Sequence, residues 1–300
     1  MTARVSGPWP ALPYTDWKDT LDTLHMEMQI VGKVRVAQSP KEPAWAHVAL
    51  YVTARGLTTG PVPSSRGIFD VEADLIDHQV VVRTAWGKTH AVQLAARPVA
   101  EFFAEFTCAL SAVGVEVELS TMPQEVPDPI PFTDDTTHRT YDPDSANRFW
   151  RILSLIQPVF AEYRAAYRGR ASPVHFFWGS MDLAITRFSG RPCDPPPNAD
   201  FLIRDTYDAE QINAGWWPGN AAFPESAFYA YSYPKAEGIE HASLQPEAVF
   251  WSPDLGEHLL RYDDVRTAAS PAEPIRAFFD SFYTSASTRR AWDPGLVAKS

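Results

Sequence analysis

Trp178, Ser180 and Asp182 in the segment WGSMD stand two residues apart, so an extended chain sets them on one face. A carboxylate on an otherwise buried strand face needs a partner, and its desolvation alone makes it a candidate acid or base. The partner is either structural, an ion pair to Arg187 or Arg191, or chemical. Three of the eight histidines lie where they could serve: His25, which starts a helically spaced polar stripe with Gln29 and Lys33, and His47 and His175, each before a strand-like run. His175 or His25 is the expected proton carrier beside Asp182. Arg187 or Arg191 is expected to hold an anionic group of the ligand. Tyr229 and Tyr231 fall on one face of the run AFYAYSY, offering hydroxyls to a polar cavity or forming an amphipathic outer surface. Trp216 and Trp217, between Gly215 and Gly219, are expected to close over an apolar or aromatic ligand.

Other chemistries lack their residues. No histidine spacing forms a metal set, and Cys108 and Cys193 are the only cysteines, which rules out a cysteine-rich zinc site or a disulfide framework. There is no Gly-rich phosphate loop, and Ser180 lacks the second glycine of a nucleophile elbow. The sequence names no cofactor. A net charge of −11 argues against nucleic acid and an anionic membrane surface as partners, leaving a small-molecule ligand. No apolar run approaches the ~18 residues of a spanning helix, and the N-terminus has no apolar leader, so a cytoplasmic location is expected.

The elements that must position these side chains come in two imperfect copies. Pro98, Phe102, Phe103 and Phe106 recur as Pro274, Phe278, Phe279 and Phe282. Each group follows a long strand-like run, HVALYVTARGLTTGPVP or FFWGSMDLAITRFSGRPCDP, and each run follows an amphipathic helical pattern. The expected fold is α+β: two similar helix–antiparallel-sheet–helix halves related by internal duplication, at 1–120 and 147–300. A Pro- and Asp-rich connector, 121–146, joins them. Thr15 is the expected cap of the first helix, VEVELS a further strand, and Pro158 a kink or break in the helix of the second half. The second half is longer, and its excess is read as an inserted loop, 191–224, carrying the tryptophan pair.

The segments TLHMEMQIVGKVRVA, HVALYVTARGLTTGPVP, SPVHFFWGSMDLAITRFSGR and AFYAYSYP resemble the hallmark segments of the bacterial domain-of-unknown-function 5996 family, over roughly Trp9 to Trp292. The resemblance implies a stand-alone bacterial protein and brings no assigned activity, catalytic residue or cofactor. From the residues, the leading expectation is an enzyme using acid–base chemistry in an aromatic-lined pocket of the second half. The alternatives are a non-catalytic binder or sensor using the same pocket, and an interaction protein docking through the tryptophan-rich loop.

Overall fold

The computed structural model describes residues 9–298. The first helix, α1 (Tyr14–Gln38), is capped by Pro13 rather than Thr15 and ends before Pro40 and Pro43. It is buried nearly all round, because α2 (Val99–Val113) and α3 (Pro143–Ala165) pack against it together with the first sheet. That sheet is antiparallel, in the order β1 (Tyr51–Val52), β2 (Gly56–Thr58), β4 (Gly67–Asp74), β5 (Gln79–Thr84), β6 (Thr89–Gln93), with the short β3 (Val62–Ser64) paired to β4. The alternation in β4 places Phe69, Val71 and Ala73 inward. Asp70 and Glu72 face outward, where Arg83 pairs with both, and Asp74 pairs with Arg55. The outer face of this sheet is thus tiled with ion pairs.

The second sheet runs β7 (His175–Phe177), β8 (Asp182–Pro192), β9 (Ala209–Trp217), β10 (Ala227–Tyr233), β12 (Glu257–Arg261), β11 (Phe250–Ser252), all antiparallel. One face packs on α3 and α6 (Ala272–Arg289), with Phe160, Phe228 and Phe279 in mutual ring contact. The short α5 (Tyr262–Val265) follows β12, and α4 (Phe201–Thr206) lies between β8 and β9. Helices and two antiparallel sheets make the fold α+β. The two sheets meet edge to edge where Leu50 and Phe176 exchange backbone hydrogen bonds, 2.9 Å in each direction.

Three more expectations fail here. Trp178 to Met181 form a turn, with Met181 at φ 58°, so HFFWGSMDLAITRFSG is a β7–β8 hairpin and not one long strand. Residues 209–217 of the supposed loop form β9, a central strand hydrogen-bonded on both sides, which leaves Cys193–Asp208 with α4 as the true excursion. VEVELS forms no strand. Of the kink or break expected at Pro158, the break is absent, since α3 runs on through it.

Candidate functional site

The outer face of the second sheet is roofed where that of the first is open. Side chains directed outward are Asp182, Ala184 and Thr186 from β8, Gln211, Asn213 and Trp217 from β9, Tyr229 and Tyr231 from β10, and Glu257 from β12, with Gly215 of β9 on the same face. The roof is α4 and its flanks, the turn at Ala44–Trp45, and Gln124–Glu125 of the connector. Between floor and roof lies a cavity of about 560 Å³, the size of a small-molecule site.

The roof is held by the first half. Trp45 Nε1 donates to the Leu202 carbonyl at 3.0 Å, its ring meets Phe201 edge-on at 5.7 Å, and Lys41 pairs with Asp205. The connector is held from α1, where Gln29 exchanges two 2.8 Å hydrogen bonds with the backbone of Gln124. Trp178, a wall of the cavity, donates to the Val48 carbonyl at 2.8 Å and lies on Gly32 of α1, where a Cβ would come within 2.2 Å of its ring.

Asp182 is 6% exposed and accepts from the hydroxyls of Ser180, at 2.5 Å, and Tyr229. Tyr229 reaches it across β9 because Gly215 lies between: a Cβ there would sit 2.3 Å from the phenol. Burial raises the Asp182 carboxyl, and the two hydroxyl donors only partly offset that. Glu257 is pushed up to about 7 by burial and then by the nearby Asp182. Glu125, at the rim, is raised by desolvation and by Asp182 and Asp200. Burial also raises the phenols of Tyr229 and Tyr231, so both stay protonated. The cavity therefore joins three carboxyls that resist ionising with the hydroxyls of Tyr207, Tyr229 and Tyr231, and among the described residues no Lys, Arg or His lines it.

The structure brings Trp178, Ser180, Asp182, Trp217, Tyr229 and Tyr231 together at this cavity and places the other expected site residues elsewhere. His175 packs edge-on against Tyr51 and Phe177, and burial lowers it to about 4. His25 donates to the Gly179 carbonyl at 2.9 Å and fastens the β7–β8 turn to α1. Arg187 points to the helical face, its guanidinium over the Tyr163 ring and bonded to the Tyr163 carbonyl, because its parity along β8 is opposite to that of Asp182. Arg191 binds Glu210 at 2.8 Å and the Arg290 carbonyl. Trp216, fully buried, packs against Phe149 and Tyr262, so the tryptophan pair offers no exposed docking tip. Glu257, Glu125 and Asn213 were missed. Alternation within EHLLRY marks the face of Glu257, but only the order of strands in the sheet aims it at Asp182.

Among the described residues no cluster of His, Cys, Asp and Glu suits a metal ion, and no helix is long and apolar enough to cross a membrane. Fold and site together define an α+β protein with an acidic, aromatic pocket under a roof supplied by both halves. The family described as a family of unknown function (DUF5996) matches residues 9–299, and the chain belongs to it. No curated protein and no solved structure matches.

Proposed function

We propose that the cavity takes up one small organic molecule and that its carboxyls exchange protons with it, making the protein an acid–base enzyme. The observation that carries this reading is the grouping of Asp182, Glu257 and Glu125 in one ligand-sized cavity, each raised toward neutrality by burial. A carboxyl that titrates near 7 suits general acid–base work at neutral pH. The reading takes a carboxyl–tyrosine mechanism in place of an imidazole–aspartate one, because neither His25 nor His175 lines the cavity. Untagged protein analysed by native mass spectrometry should carry a small molecule that is lost from Ala184→Trp, a variant that fills the floor. Identical spectra for the two proteins, with no soaked fragment located between β8 and α4, would remove the reading. A second reading, the non-catalytic binder, is favoured by the Tyr229 and Ser180 bonds that already occupy Asp182. Under it, Glu257→Gln leaves the bound molecule chemically unchanged and alters only its affinity.

We also infer that the halves arose by duplication. What supports this is that both sheets are antiparallel and open with a hairpin, in the orders β1-β2-β4-β5-β6 and β7-β8-β9-β10-β12-β11, and that each has helices before and after it. Laying α1 on α3 must then bring β1–β2 onto β7–β8. A mismatch of strand direction there would defeat the inference.

A further inference from the structure

On the reading that this cavity is a ligand site, we infer that its ligand is an organic cation: an amine or quaternary ammonium on an apolar or aromatic body. The charge distribution argues first. Carboxyls reach the cavity from three separate elements, β8, β12 and the connector, and among the described residues no basic side chain answers them from the lining. Basic groups around it are engaged elsewhere: on the roof, Lys41 pairs with Asp205 and Arg204 donates to the Ala199 carbonyl. Arg187 is stacked on Tyr163 on the far side of the sheet, and Lys33 lies behind the wall against Trp178 and Phe132. Lys235 lines a smaller adjoining cavity with Glu257, but its ammonium rests over Trp251 and pairs with Glu240. Carboxyls crowded in a buried site ionise readily only beside an opposite charge, so a bound anion would oppose their ionisation and a neutral ligand would offer them no partner. A cation supplies that partner.

The walls argue second. Trp45, Trp178, Trp217, Tyr229 and Tyr231 surround the same space, and aromatic faces attract cations at sites from which water is largely excluded. Asn213 argues third and independently. It is 6% exposed, its Oδ1 accepts from Thr186 at 2.6 Å, and its Nδ2 has no partner among the described residues although the side chain lines the cavity. A buried donor left unpaired is costly, and because this one has almost no open surface, a ligand acceptor such as a hydroxyl or carbonyl would answer it once the amide turns toward the cavity. The rim argues last: Phe201, at 64% exposure, with Val36 and Leu255, places exposed apolar surface at the mouth. The cationic end therefore lies deep, by Asp182 and Glu257, and the apolar body extends outward.

The test is calorimetric titration of the full chain at pH 7.5 with tyramine, its uncharged counterpart 4-ethylphenol, the anion 4-hydroxyphenylacetate, and benzyltrimethylammonium. At least one cation should bind ten times or more tighter than 4-ethylphenol. That binding should fall at least tenfold in Glu257→Gln and in Asp182→Asn, with melting temperatures confirming that both variants are folded. Equal or tighter binding of 4-ethylphenol or the anion, lost in Ala184→Trp, would overturn the cation while leaving the cavity as a ligand site. Cation binding that survives both carboxyl variants places the cation elsewhere and overturns it too. Silence from all four compounds with folded protein would remove both the cation and the cavity as its site.

Discussion

At the scale of single residues, the chain keeps several carboxyls in places that favour their neutral form, and only some belong to the cavity. Glu27 on α1 is fully buried, neither of its oxygens has a partner among the described residues, and burial pushes it up to about 8. Its pKa is higher folded than unfolded, so the folded chain holds the proton more tightly. The resulting stability is complete below the ordinary glutamate range near 4.5 and is lost as pH climbs through about 8. Glu27→Gln removes the ionisation while keeping the shape. We expect its melting temperature to match the parent at pH 4 and to exceed it at pH 8.5 by several degrees, given roughly 2 °C per kcal/mol for a chain of this size. Equal melting curves at both pH values would show that the carboxyl finds a partner. Asp182 was legible in the sequence for the same physical reason, a charge where a face should be apolar. Its partners were not. Tyr229 reaches it only across a strand, over a glycine whose role depends on which strands are neighbours.

At the scale of elements, the cavity exists because a short excursion, Cys193–Asp208, folds back over the sheet and is pinned by a turn of the other half. The excess length of the second half was visible in the sequence, but its place was not. Ile212, Ala214 and Trp216 alternate with Gln211, Asn213 and Gly215, a period of two that marks β9, and the neighbouring Gly215, Pro218 and Gly219 mask it as a turn. The paired strand patterns and the closing helices of both halves were readable because each carries a strong apolar periodicity. Trp45 anchors the roof through one hydrogen bond and one ring contact. Trp45→Ala should therefore release α4 without melting the sheet: amide exchange across residues 197–207 accelerates at least tenfold while β8 and β9 stay protected. Unchanged exchange in that stretch would mean that the Lys41–Asp205 pair or the cavity walls hold the roof alone.

At the scale of the whole molecule, the halves that look separable in sequence share one apolar core, which runs from Leu24 and Val34 of α1 through Phe149 of α3 to Trp178 and Trp216. The Leu50–Phe176 bridge joins their sheets, and Trp178 of the second half rests on Gly32 of the first. A chain built this way unfolds as a unit, so calorimetry should show one transition whose measured enthalpy equals its van't Hoff value. Gly32→Val sharpens the test, because its new Cβ would lie 2.2 Å from the Trp178 ring and one body must move. Overpacking of this kind costs about 1–3 kcal/mol, which lowers the midpoint by roughly 2–6 °C. If the halves are one cooperative body, the single transition moves down whole. If they are independent, Gly32→Val splits it and leaves one part at the parental temperature. The same displacement of Trp178 reshapes the cavity wall. A ligand that stabilises the parent should thus stabilise Gly32→Val less, linking the seam between the halves to the site it supports.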